Sequence, residues 1–102
     1  MTQETIELIT WIDNDARSYG RLAAAYRNLD RHRRQGRFDA DKALILMTHV
    51  AKDAAKAYHE EFGTPGDRWY DLFDTDCRRI AGRHLLANYL SFVEDDDMWW
   101  VE

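Results

Sequence analysis

Apolar side chains recur every three or four residues along almost the whole of this chain, and a single proline interrupts them. That spacing puts them on one face of a helix, and no stretch shows strand alternation of useful length. The clearest stripe is Ala40, Ala43, Leu44, Met47, Ala51, Ala54, Tyr58 and Phe62, which predicts a helix over about 40–62 with Asp39 as its cap. Its alanines suit close helix–helix approach. A first helix over 5–13 carries Ile6, Leu8, Ile9 and Ile12, with Thr2 or Thr5 as cap. Asn14-Asp15 reads as a break, and Asp15 re-caps a second helix to about Gln35 with Tyr19, Leu22, Ala23, Tyr26 and Leu29 on one face. Gly20 costs that helix roughly 1 kcal/mol relative to alanine unless another backbone packs there. Gly36 stops it. Gly63 and Thr64-Pro65-Gly66 end the third helix, residues 67–73 suit one or two helical turns, and Asp74 or Thr75 caps a last helix to about Val93. Cys77, Ile80, Ala81, His84, Leu85, Tyr89 and Phe92 face inward on it. The expected fold is an all-α bundle of about four helices over 1–93, with an acidic-aromatic tail at 94–102.

A chain of 102 residues makes one domain, and 45% hydrophobic residues suffice for its core. The lone cysteine, Cys77, excludes an intrachain disulfide and fits a reducing compartment. No charged-then-apolar leader opens the chain and no apolar run nears about 18 residues, so neither secretion nor membrane spanning is expected, and the expected location is cytoplasmic.

The net charge of −5 is unevenly placed. Arg27, Arg31, Arg33, Arg34 and Arg37 face only Asp30 between residues 27 and 37, while the nine residues EDDDMWWVE hold five carboxylates around Trp99 and Trp100. Acidic residues oppose the dipole at a helix C-terminus, so the last helix should stop near Val93 and the tail should be extended or folded back. Such a tail reads as a contact surface: Asp95, Asp96 and Asp97 steer toward a basic surface, and Trp99 and Trp100 anchor. It reads equally as the cis partner of the arginine block, or of that block in a second copy. The arginines are themselves the best candidate for contacting phosphates.

Signals for catalysis are sparse. His49 and Asp53 stand four apart and His59 precedes Glu60 and Glu61, but the ligand spacing of a zinc helix is absent, and no metal or cofactor is expected. Cys77 lies on an apolar stripe, Ser18 and Ser91 lack an elbow of glycines, and the five glycines are isolated rather than gathered in a phosphate loop. An enzymatic reading would rest on Asp13, Asp15, His49 or His59 with a metal. The corner Trp11 to Asp15 (WIDND) joins an aromatic to two carboxylates, which suits a partner site or a simple helix cap.

With that corner, Tyr19 downstream and YHEEFG at Tyr58–Gly63, about the first two-thirds of the chain resembles small helical proteins encoded by bacteriophages and prophages. The resemblance implies a protein of the size and charge of host-defence inhibitors, such as anti-CRISPR and antirestriction proteins, which bind and occlude nucleic-acid machinery. The arginine block departs from a uniformly acidic mimic of DNA. The resulting expectation is a non-catalytic interaction module for a host protein or complex, using Asp95, Asp96, Asp97, Trp99 and Trp100 with Trp11, Asp13 and Asp15. The alternative is a nucleic-acid-binding module built on Arg27, Arg31, Arg33, Arg34 and Arg37. A homodimer is compatible with both.

Overall fold

Each long helix starts on a side-chain cap. Thr2 accepts from the amide of Thr5 and opens α1 (Gln3–Asn14). Asp15 accepts from Ser18 and opens α2 (Ala16–Arg34), and Asp39 accepts from Asp41 and Lys42 to open α3 (Ala40–Phe62). After a one-turn α4 (Trp69–Leu72), Asp74 accepts from Cys77 and opens α5 (Thr75–Glu94). These caps occupy amides that have no partner within the helix. The computed structural model describes residues 1–101, which are all-helical with no strand. The described residues form five helices rather than about four, because residues 69–72 close one turn of their own.

α3 lies at the centre and touches each of the other four helices, most extensively α5. Gly82 explains the closeness: a Cβ there would stand 2.6 Å from Thr48 Oγ1 and 3.0 Å from the Thr48 amide. Gly20, in contrast, has nothing within 4 Å of an added Cβ. The core is built from Leu8, Ile12, Leu22, Tyr26, Leu29, Met47, Ala51, Phe73, Leu85 and Tyr89, with Trp100 from beyond α5.

Several side chains depart from the periodic stripes. Ile6, Tyr19, Ala40 and Phe62 are exposed. Phe62 is the last residue of α3 and packs by its edge on Trp11 and at a tilt on Tyr58. Phe73 takes an interior place instead, with its ring 5.1 Å from that of Tyr58. Thr5 lies inside the fold, where its hydroxyl meets Thr2 and donates to Cys77 Sγ. Burial pushes the Cys77 thiol up, away from the reactive thiolate.

Candidate functional site

The acidic end of α5 is a folded turn. Asp97 N–H donates to Phe92 O (2.9 Å), Asp96 N–H donates to Val93 O (3.2 Å), and Asp96 takes φ = 56°. This is the Schellman arrangement with aspartate in the place glycine usually holds. α2 closes in the same way, with Gly36 at φ = 70° and Arg37 N–H on His32 O.

The turn sends the chain back over the core. Trp100 is 2% exposed and packs against Tyr26, Tyr89 and Phe92. Its indole N–H donates to Asp30, a carboxylate only 4% exposed. Asp30 also accepts from the Tyr89 hydroxyl (2.6 Å) and from Arg33 (3.4 Å). A buried carboxylate is tolerated only when its lone pairs are occupied and a cation is near, and these donors meet both needs. Burial first, and the bond to Asp30 second, push the Tyr89 phenol up to about 12. The bond to Tyr89 is the main reason the Arg33 guanidinium is held above its ordinary value. Arg27 completes the closure by donating to the carbonyl of Trp100 (3.0 Å).

This geometry divides the tail. Trp100 is spent in the core and is not an exposed anchor. Trp99 is half-buried and stacks on Tyr19 with ring centroids 4.6 Å apart. Glu94, Asp95, Asp96 and Asp97 stay exposed, and among the described residues none forms an ion pair. Among the described residues, which leave out Glu102, tail and arginine block meet through a tryptophan, a backbone carbonyl and Asp30 rather than through Glu94–Asp97. Arg27, Arg31, Arg33 and Arg34 line one cavity of about 440 Å³ with Met98 and Val101. Arg37 stands apart, beside His32, Phe38 and Lys42.

The corner of Trp11, Asp13 and Asp15 does not assemble into a site. Trp11 turns toward α3, edge-on to Tyr58 (5.5 Å) and Phe62 (5.6 Å), and its buried indole N–H has no acceptor among the described residues. Partial burial raises the Asp13 carboxyl and the nearby His84 opposes that shift. Asp15 is the cap of α2, and the Ser18 hydroxyl it accepts from holds its carboxyl below the ordinary value. Short side chains at helix junctions commonly serve in this way. His59 bonds to the carbonyl of Asp67 (2.7 Å), tying α3 to the following loop. Among the described residues, no three His, Cys, Asp or Glu side chains are grouped to hold a metal.

One basic surface escaped the sequence reading. Between α3 and α5, Arg79, Arg83 and His49 border a groove floored by Leu44, Ile45 and Thr48, about 270 Å³ in volume. Beyond it, Lys52, Lys56 and Arg78 stand 4.8–5.8 Å from the ring of Trp69. The four-residue step from Arg79 to Arg83 is the signal in the sequence, masked there by a near-balanced count of charges over 38–93. The chain matches no protein-family model, no curated protein and no solved structure.

Proposed function

We propose that this protein is a non-catalytic interaction module whose contact surface is the acidic turn Glu94–Asp97. The observation that carries the reading is the pairing of four exposed carboxylates, none ion-paired among the described residues, with an anchor of Trp100 on Asp30 that holds their backbone in one conformation. A preorganised array of like charge raises the encounter rate with a cationic surface and loses little entropy on docking. The partner is therefore a basic surface on another protein. The resemblance to phage-encoded helical proteins points toward a host complex that handles nucleic acid, met in the host cytoplasm.

The experiment is capture from host lysate with the full chain, comparing wild type with Asp95→Asn, Asp97→Asn and the double variant. These changes remove charge and leave Trp100 in place, whereas truncation at residue 93 would remove part of the core. Salt-sensitive capture that weakens stepwise with each charge supports the reading. Equal capture by the double variant refutes it.

A second reading has its own observation: four arginines line one cavity. It makes the protein a nucleic-acid-binding module with Arg31, Arg34 and Arg37 on phosphates, Arg27 and Arg33 being engaged with the C-terminal segment. It requires a mobility shift with DNA or RNA at low salt that vanishes when Arg31 and Arg34 are reversed to glutamate.

A further inference from the structure

α5 has Asp74 and Asp76 at its start, where its dipole favours them, but its C-terminal end runs against that dipole. Its last turn holds no cation and ends in Glu94 and the three aspartates, while Arg79 and Arg83 stand exposed near its start. Helix dipoles favour the opposite placement. Arg79, Arg83, Ala87, Leu90 and Glu94 follow one another at three- and four-residue steps, so they share one face. All five are exposed, Leu90 by 45%. The face is thus cationic at one end, apolar at its middle and anionic at the other.

A stripe of that kind is complementary to itself when turned end for end. About 16 Å of helix separates Arg83 from Glu94. A second α5 laid antiparallel, with its midpoint near residues 88–89, brings Arg83 opposite Glu94 and Arg79 opposite the acidic turn. Ala87 then meets Leu90, and each contact occurs twice, as a two-fold axis requires. The opposed dipoles also compensate each other. Beside this stripe the groove holding Arg79 and Arg83 offers Ile45, itself 58% exposed, as further apolar surface. Asp76 stands at the same end as the arginines but beyond the overlapping part of the helices.

From this charge complementarity we infer that the exposed face of α5 docks a second copy of this chain, as an antiparallel two-fold dimer. The inference rests on the reading of Glu94–Asp97 as a contact surface and gives that surface an occupant that competes with the basic partner proposed above. A cationic peptide has no counterpart for the arginine end of the stripe, and a neutral one has none for either end. A nucleic acid would meet only the basic half of the stripe and be repelled by the rest.

The test is molar mass by light scattering on the full chain, over a concentration series at low and high salt. A mass rising toward twice that of the chain with concentration, and falling back as salt increases, is expected. Arg79→Glu with Arg83→Glu, and separately Glu94→Lys with Asp97→Lys, should each weaken dimerisation by about tenfold or more, since like charges then face each other at both contacts. Mixing the two variants should restore a heterodimer, because every reversed cation then meets a reversed anion. That rescue also shows that both variants are folded. A wild-type chain that stays monomeric at about millimolar concentration in low salt overturns the inference. So does a dimer unaffected by either pair of reversals, or a failure of the mixture to associate. The arginine reversals leave Glu94–Asp97 untouched, so loss of the dimer with retained lysate capture separates this inference from the function it builds on.

Discussion

Trp100 and Asp30 are seventy residues apart and depend on each other. The tryptophan closes the core over Tyr26 and Tyr89, and its indole N–H occupies one oxygen of a carboxylate that has little access to water. The two roles separate by substitution. Trp100→Ala removes the ring and a donor together and should cost about 3–5 kcal/mol in urea unfolding. Trp100→Phe keeps most of the apolar contact and deletes only the donor, so it should cost about 1–3 kcal/mol, the penalty for leaving a buried polar atom short of a bond. A Trp100→Phe variant as stable as the wild type would show that Asp30 draws nothing from the indole. Asp30 was legible in part. It falls four residues after Tyr26 and so on the buried stripe of α2, but beside five arginines it reads as a mere counter-charge. Arg33 is the one local donor; nothing nearby in the sequence names Tyr89 and Trp100, which come from α5 and the segment that follows it.

At the scale of the helices, boundaries were readable and the ends of stripes were not. Asp15, Asp39 and Asp74 each cap the helix that their chemistry predicts. Caps are local, so a single sequence displays them. Whether Phe62 or Phe73 enters the core is decided by how far α3 runs past its neighbours, which no periodicity contains. Two glycines make the same distinction measurable. Gly20 lies in mid-helix with open space around it, so Gly20→Ala should stabilise the fold by about 0.5–1 kcal/mol. Gly82 faces the backbone of Thr48, so Gly82→Ala must push α3 and α5 apart and should cost about 1–3 kcal/mol. Thermal unfolding of both variants checks the pair, and opposite signs are required. The close of α5 supplies a third case. Asp96 sits at φ = 56°, where an L side chain is crowded, so Asp96→Gly should add roughly 0.5–1 kcal/mol to stability.

For the whole molecule, the charge segregation seen along the sequence survives folding in a changed form. The basic end of α2 and the acidic end of α5 lie against each other, with Arg33 reaching Tyr89 and Met98, and they are joined through Tyr89, Trp100 and Asp30. That cluster makes stability depend on pH at the alkaline side. Tyr89 is raised to about 12, by burial first and by its bond to Asp30 second, and burial raises Tyr26 still further. In the unfolded chain both phenols ionise near pH 10. Between that pH and about 12 the folded protein keeps protons that the unfolded chain has released, so stability falls as pH rises across this window. Below pH 10 the contribution is fully present and nearly flat. Denaturant unfolding at steps from pH 8 to 12 should show this decline, and tyrosine absorbance should show two of the five phenols titrating only as the fold is lost. Tyr89→Phe removes one of the two late-titrating phenols, so it should flatten part of the alkaline slope while lowering stability at neutral pH through the bond lost to Asp30. A variant with the full wild-type slope would place the alkaline loss elsewhere than in the cluster that holds the acidic turn.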